Sequence, residues 1–275
     1  MRNFSSLCLL LLAICFAETA IAQLDSIHWV PPMHGRSELG PQYLYISTPE
    51  QIPFAVSIHD GGGNLLGTVT ISNAQPARWD IGSSGDTPVM VLEGSLHKAV
   101  QNKGLVLVGA HNFYVNLRFH SNNQYQAADL TCKGRSALGT VFRLGHIFQS
   151  ANGNQRSNFV GVMATEDSTV VTLSDFDPGT DFEINGNTTS VSGPQTVTLQ
   201  AGESVVFSQY VSASSTQPPN GLIGSKLEST KPVAVTCGSW TGSPVDDSND
   251  VGLDQIKKKK KVGEEYILCK GNGSS

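Results

Sequence analysis

The sequence predicts an all-β protein that is antiparallel and internally duplicated. Charged residues make up only 15% of the chain, while Val, Thr and Ser are abundant. β-branched residues suit the pleated, half-buried surface of a sheet and suit helices poorly. No segment after the first 22 residues shows a convincing 3.6-residue hydrophobic period, so we expect essentially no helix in the folded part.

Strand-like runs separated by turn residues occur along the whole chain. Gly61-Gly62-Gly63-Asn64 is a strong turn signal, because glycine adopts positive φ without steric cost. Asn185-Gly186 and Ala201-Gly202 mark later turns in the same way. The predicted strands are 42–48, 54–60, 67–72, 88–94, 104–110, 113–121, 158–165, 169–176, 195–200, 204–209 and 231–240.

The chain also resembles itself at a fixed distance. Residues 45–58 align with 162–173, residues 111–121 with 230–240, and residues 138–144 with 262–268. These offsets agree on a period of roughly 120 residues, which indicates duplication, with repeats over 42–150 and 156–271. Each period holds two groups of about 50 residues, near the span of a propeller blade. We therefore predict a β-propeller-like arrangement, with tandem β-sandwiches as the alternative.

The first 22 residues have the pattern of an export signal. Arg2 is followed by an apolar core, and Ala20-Ile21-Ala22 matches the small-x-small cleavage pattern. The apolar run is shorter than the ~20 residues of a membrane span. A lipoprotein with Cys15 as the lipidated residue is the alternative. We expect a secreted or cell-surface chain whose β domain covers residues 23–275.

The net charge of −5 and the pI near 5.8 exclude a general nucleic-acid binder. A run of five lysines, Lys257 to Lys261, lies opposite residues 133–137 when the repeats are aligned. That position is a polar connection, so we interpret the run as a solvated loop. The alternative is attraction of acidic glycans, anionic lipid headgroups or nucleic acid.

Several segments together resemble one family, the IgGFc-binding protein N-terminal domain family. They are GPQYLYISTP, FVGVMATEDSTVVTL, LQAGESVVF, STKPVAVTCGSW and the DQI…VGEEYIL element. The resemblance covers roughly residues 42–271, and its most specific parts are 229–235 and 254–267. It implies a secreted or surface protein, as its bacterial members are. The lysine run departs from the family, which has an apolar, proline-containing segment there.

Three cysteines remain after the leader: Cys132, Cys237 and Cys269. In an oxidising compartment one pair could form and leave one thiol, so the pairing stays open. Three cysteines do not make a disulfide scaffold in a domain of this size, and a hydrophobic core must stabilise it.

No residue stands out as catalytic, cofactor-binding or metal-binding, and the ligand-binding residues are not predicted. Asp175, Asp177 and Asp181, like the acidic stretch 246–250, superficially resemble a calcium loop, but turn propensity explains them better. The seven histidines form no H-E-x-x-H or H-x-H pair. The three tryptophans, Trp29, Trp79 and Trp240, are interpreted as core residues, with sugar stacking as the alternative. Residues 187–189 match a glycosylation sequon.

We therefore expect a non-enzymatic adhesion or binding module for a protein or a glycan. The first alternative is a carbohydrate-active enzyme or its sugar-binding accessory, which needs a cleft with converging carboxylates. The second is a structural spacer in a larger surface protein. We expect that the chain is C-terminally truncated, and we do not transfer IgG Fc binding, because recognition depends on surface loops that a fold does not fix.

Overall fold

The computed structural model describes residues 23–36, 39–83, 85–122, 126–150, 153, 156–213, 216–245 and 248–258. Of residues 244, 245, 248 and 249 only the backbone is described. The predicted leader, the lysines after Lys258, Cys269 and the repeat segment 262–268 therefore lie outside the described residues.

Seven antiparallel strands form the first sheet. Its order is β4-β3-β6-β2-β5, and β1 and β7 also pair with β6. The strands are β1 (Asp25–Val30), β2 (Gln42–Ser47), β3 (Phe54–Asp60), β4 (Leu65–Ile71), β5 (Ala77–Gly82), β6 (Leu105–His120) and β7 (Ala127–Thr131).

Nine antiparallel strands form the second sheet. Its order is β12-β11-β14-β9-β15-β10-β13, and β8 and β16 also pair with β15. The strands are β8 (Gly139–Arg143), β9 (Arg156–Ala164), β10 (Thr169–Ser174), β11 (Thr180–Ile184), β12 (Asn187–Val191), β13 (Gln195–Leu199), β14 (Ser204–Val211), β15 (Lys226–Val245) and β16 (Ser248–Gln255).

The prediction of an all-β, antiparallel, duplicated fold is confirmed. The helices of the described residues are two short 3-10 turns, Glu93–Ser95 and Gly134–Ala137. Within the same residues, no helix has the length and apolar character of a membrane span. One predicted strand is wrong: residues 88–94 form a single parallel bridge, Met33 to Met90, and then enter the first 3-10 turn. The two strands predicted over 104–121 are one long strand, β6.

The duplication is visible in the strand pairing. Strands β1 to β7 match β8, β9, β10, β13, β14, β15 and β16 in the same chain order. Each of the six pairings in the first sheet has its counterpart in the second, and each sheet curls about one long strand, β6 or β15. The hairpin β11–β12 has no counterpart among the described residues of the first sheet. The duplicated unit is thus a sheet of seven or nine strands, larger than the four-stranded blade on which the propeller-like interpretation rested.

The structural repeats begin earlier than the sequence alignment placed them. β1 starts at Asp25, whereas the first predicted repeat starts at residue 42. β8, which the alignment assigned to the first repeat, pairs with β15 of the second sheet. We call the two units repeat 1 (β1–β7) and repeat 2 (β8–β16).

Two hydrophobic clusters stabilise the molecule. Repeat 1 turns Leu44, Ile46 and Leu117 into the first cluster, and repeat 2 turns Val160, Val162 and Val235 into the second. Burying each such side chain contributes about 1.5–3 kcal/mol relative to leaving it exposed.

The opposite face of the repeat 2 sheet closes the first cluster. Every residue of β9 is buried, because Phe159 packs into the first cluster while its neighbour Val160 packs into the second. Trp240 of β15 also packs into the first cluster, and its ring centre lies 4.5 Å from that of Phe119 in repeat 1. Gly161 permits close approach, since a β-carbon there would lie 1.8 Å from the Pro32 carbonyl oxygen. One sheet of repeat 2 therefore separates the two cores.

Candidate functional site

The outer face of repeat 1 carries the most distinctive set of exposed side chains. Successive residues of a strand point to opposite sides of a sheet, so the neighbours of the core residues in β2, β5, β6 and β7 point outward. Tyr43 and Tyr45 come from β2, with burial alternating along that strand. We define the tyrosine–arginine face by the residues Tyr43, Tyr45, Arg78, Asp80, Asn116, Arg118, His120 and Asp129.

Backbone register arranges these side chains in two rows across four strands. Tyr43 pairs with Asp80 of β5 and with Arg118 of β6. In the next row, Tyr45 pairs with Arg78 and with Asn116. Such cross-strand pairs typically stabilise a sheet by about 0.2–1 kcal/mol each.

Both arginines stack on tyrosine rings diagonally across the rows. The guanidinium carbon of Arg78 lies 4.8 Å from the ring centre of Tyr43, and that of Arg118 lies 4.8 Å from the ring centre of Tyr45. The two tyrosine rings are 6.4 Å apart in an edge-on arrangement. Cation–π contacts at exposed sites contribute about 0.5–1 kcal/mol, so they favour this arrangement of the side chains before any partner arrives.

Hydrogen bonds fix the polar side chains between the rings. Arg78 forms an ion pair with Asp80, with Nε 3.1 Å from Oδ1. Arg118 instead donates through Nε to Asn116 Oδ1 at 3.1 Å, and Asn116 Nδ2 donates to Asp129 Oδ2 at 3.2 Å. Arg78 is therefore paired with a carboxylate, whereas Arg118 is hydrogen-bonded to a neutral amide.

A shallow cavity of about 480 Å³ opens at one end of the face. Its wall includes Tyr43 and Tyr45 together with Ala127, Ala128 and Asp129. Tyr45 is 38% exposed, which is high for a large aromatic side chain in a strand. Tyr and Arg are enriched among residues that dominate binding energy at protein interfaces. The face therefore has the chemistry of a recognition surface.

A second cluster, buried, joins the two repeats. Glu183 of β11 is 1% exposed, and Arg36 Nη1 lies 2.5 Å from its Oε1. His34 Nε2 lies 3.5 Å from its other oxygen. The Arg36 guanidinium also stacks 3.7 Å above the ring of Tyr210 and reaches Glu93 at 3.7 Å. The cluster ties the β1–β2 loop and the first 3-10 turn to repeat 2.

The cluster separates the pKa values of its two carboxyl groups. Burial by itself raises the pKa of Glu183, but its contacts with His34, Glu93 and Arg36 outweigh burial and lower that pKa to about 2. The hydrogen bond to Glu183, followed by burial, raises the pKa of Glu93. Neither carboxyl group lines a cavity that we describe, so we interpret the cluster as a structural link.

Two other cavities lie beside the last described residues. One of about 540 Å³ is lined by Cys237, His146 and Asp254, among others. Burial raises the pKa of the Cys237 thiol to about 11 and lowers the pKa of His146 to about 4, so both groups are neutral at pH 7. The other cavity, of about 510 Å³, borders Pro232 and Lys258. Among the described residues that line these two cavities, none is an activated nucleophile.

The cysteines and tryptophans singled out in the sequence are mostly structural. Cys132 and Cys237 are buried free thiols and are not bonded to each other. Trp240 is completely buried. Trp79 packs against the first cluster from a half-buried position, and Trp29 is half-buried in β1.

The acidic residues are dispersed. Asp175 Oδ2 accepts a bond from Arg143 Nη1 at 2.9 Å, and the Asp177 carbonyl accepts one from Thr180. Asp181 accepts a bond from the Ser190 hydroxyl. Within the described part of the chain, no group of three or more potential metal-ligating side chains comes together. The sequon residue Asn187 is exposed at the start of β12, and Lys257 and Lys258 follow the end of β16.

Sequence reasoning did not identify the tyrosine–arginine face. Its signal is the alternation Tyr43-Leu44-Tyr45-Ile46, in which aromatic side chains occupy the outward positions of a half-buried strand. Arg118 is far away in sequence, and only the register of β2 against β6 places it beside these rings.

The fold defines an all-β, duplicated module whose first repeat exposes a face of tyrosine and arginine side chains. The IgGFc binding protein family matches residues 127–275, which is more than half of the chain, and the protein therefore belongs to this family. The matched residues cover β7 and repeat 2, whereas most of the tyrosine–arginine face precedes them. No curated protein matches the chain.

Proposed function

We propose that the protein is a non-enzymatic extracellular binding module that holds a protein partner on its tyrosine–arginine face. The observation that carries the proposal is the pair of partly exposed rings of Tyr43 and Tyr45, each covered by an arginine. Rigid aromatic side chains supply contact area at low entropic cost, and an ordered surface loses less freedom on binding.

Membership of a family of binding proteins supports the class of function. It does not supply the partner, because most of the face lies outside the matched residues. The rows of the face lie on four paired strands, and sites on rigid elements are more exact than sites on loops. The predicted export signal supports an extracellular location.

The surroundings of the paired carboxyl groups at the repeat junction favour binding over carbohydrate hydrolysis. Retaining and inverting glycosidases need two carboxyl groups facing a cleft, roughly 5–10 Å apart. The two carboxyl groups that meet most closely at the repeat junction, Glu93 and Glu183, are linked to each other and to Arg36. Glu183 is buried, so a sugar would have no access to it.

The test is binding of the full chain to a panel of immobilised extracellular proteins that includes the Fc fragment of IgG. We expect saturable binding to at least one of them. For that protein, the double variant Tyr43→Ala/Tyr45→Ala should bind about 100-fold more weakly, since aromatic hot-spot residues often contribute 2 kcal/mol or more each. Surface plasmon resonance measures the dissociation constants.

A matched control lies on the outer surface of repeat 2. Thr172 and Thr196 form an exposed cross-strand pair with their hydroxyl oxygens 3.1 Å apart. The variant Thr172→Ala/Thr196→Ala should bind like the wild type. Absence of binding to every protein of the panel would support the spacer interpretation and contradict the proposal, as would equal binding by the tyrosine variant.

A further inference from the structure

We propose that Arg118 forms a carboxylate-binding subsite within the tyrosine–arginine face and takes an aspartate or glutamate side chain of the protein partner. This inference rests on the proposed function and adds the chemical group that the face recognises.

The charge of Arg118 is not compensated by a carboxylate. Four other arginines each form an ion pair within 4.0 Å, namely Arg36, Arg78, Arg135 and Arg143. Among the described residues no carboxylate reaches Arg118 within that distance. Asp129 is its cross-strand neighbour on β7, but the Asp129 carboxylate accepts its hydrogen bond from Asn116.

The guanidinium is nevertheless held in place. Its Nε atom donates to Asn116 Oδ1 at 3.1 Å, and its plane covers the ring of Tyr45. Both Nη atoms remain without a hydrogen-bond acceptor among the described residues. A guanidinium fixed through Nε presents the Nη donors as a fork, the geometry that recognises a carboxylate in a bidentate manner.

The surroundings suit an acidic side chain of a protein. The ring of His120 lies 6.2 Å from that of Tyr43, and Ala127, Ala128 and Asp129 complete the cavity wall. The Asp129 carboxylate there is engaged by the Asn116 amide, which donates to it at 3.2 Å. The cavity volume of about 480 Å³ can hold one acidic side chain and part of its neighbour. Contact with the tyrosine rings lowers the exposure of the new ion pair to water and so strengthens it.

An acidic partner must be held by a short-range contact with Arg118, because the net charge of the chain as a whole repels acidic partners. The net charge is −5, so long-range attraction would select basic partners. A single uncompensated cation beside aromatic rings instead selects by geometry at short range. The expected partner surface therefore places an acidic side chain beside apolar ones.

The subsite can be tested without a known partner by NMR titration of the full chain. The probes are the amino-acid amides N-acetylglutamate methylamide and N-acetylglutamine methylamide, which differ in charge and not in size. We expect saturable shifts of the Arg118 Nε–Hε signal and of the Tyr43 and Tyr45 ring signals with the glutamate probe. The glutamine probe should bind at least about tenfold more weakly, because charge-assisted bonds to arginine are roughly twice as strong as neutral ones.

Variants separate geometry from charge. Arg118→Lys keeps the charge and loses the fork, and it should lose the saturable shift. Arg143→Lys alters an ion-paired arginine of repeat 2, away from the face, and should retain it. Equal response to both probes, or an unchanged response in Arg118→Lys, would overturn the subsite.

The same variants distinguish this inference from the proposed function. If Tyr43→Ala/Tyr45→Ala abolishes binding to a panel protein while Arg118→Lys leaves it unchanged, the face is the binding surface and the carboxylate subsite is wrong. If both variants abolish it and the glutamate probe saturates, both proposals stand.

Discussion

The outer face of repeat 1 and the equivalent face of repeat 2 have opposite surroundings in one molecule. We match the strands of the two repeats so that the residues each repeat turns into its own hydrophobic cluster coincide. In this match Tyr43 corresponds to Phe159, and Arg118 corresponds to Gly238. On β9 the face of repeat 2 is buried against repeat 1, whereas the face of repeat 1 around Tyr45 meets solvent.

The residue types follow their surroundings at most matched positions, the exceptions being the buried Ser208 and Thr236 opposite Asp80 and Asn116. His120 corresponds to the buried Trp240, and Arg78 to the buried Val206. Apolar side chains and glycine suit a permanent contact from which water is excluded, whereas tyrosine and arginine tolerate both water and a partner. The difference teaches that one sheet plan can serve as a core layer in one repeat and as a recognition surface in the other.

The largest effect is expected from removing the aromatic residue that closes the first core. Trp240→Ala should lower the free energy of unfolding by about 3–5 kcal/mol, because the residue is fully buried and leaves a cavity beside Phe119. Urea denaturation followed by circular dichroism measures this. The matched variant His120→Ala in repeat 1 should cost less than about 1 kcal/mol, and equal losses would contradict the comparison.

The buried charge cluster should come next. Glu183→Ala leaves Arg36 and His34 without their shared carboxylate, and we expect a loss of about 3 kcal/mol. Asp80→Ala breaks an exposed ion pair on the tyrosine–arginine face and should cost at most about 1 kcal/mol. A Glu183→Ala protein as stable as the wild type would show that the cluster does not link the repeats.

Acid should weaken the junction between the repeats. Burial lowers the pKa of His97 to about 4, while a backbone bond to Ser208 and the charge of Glu183 act in the opposite direction. Below its ordinary pKa of about 6.5 the unfolded chain binds a proton that the folded chain does not. The free energy of unfolding should therefore fall as the pH drops from 6.5 to 4, by about 3 kcal/mol for this group.

The variant His97→Gln tests this contribution, since glutamine can accept the bond that Ser208 N donates to His97. Denaturation at a series of pH values should show a slope that is smaller than the wild-type slope by about one proton between pH 6.5 and 4. His146→Gln should reduce the slope in the same way, because burial also lowers the pKa of His146 to about 4. Unchanged slopes in both variants would contradict the assignment.

The smallest effect on stability is expected at the tyrosine–arginine face itself. Tyr45→Ala removes a partly exposed ring and one cation–π contact, so it should lower the free energy of unfolding by less than about 1 kcal/mol. The same urea experiment measures it. A loss as large as that of Trp240→Ala would show that the face is structural.

The fold was largely predictable because its signals are local. β-branched runs and Gly-containing turns located most strands, and the recurrence of similar segments revealed the duplication. The first 3-10 turn was missed because residues 88–94 are apolar enough to resemble a strand, although they bridge only to Met33.

The functional face was not predictable because it depends on register. The sequence alignment matched Tyr45 with Val162, but the two clusters match Ile46 with Val162, a difference of one residue. A slip of one residue exchanges the two faces of a strand, so the alignment placed an outward tyrosine opposite a core valine. Pairing across strands, and not similarity along them, decides which side chains meet.

The most direct test is the rate of hydroxyl-radical oxidation of individual side chains in the free protein, read by mass spectrometry. The account predicts rapid oxidation of Tyr43 and Tyr45 and protection of Phe159 and Trp240 until the protein unfolds. Oxidation of Trp240 as fast as that of Tyr45 under native conditions would contradict the account.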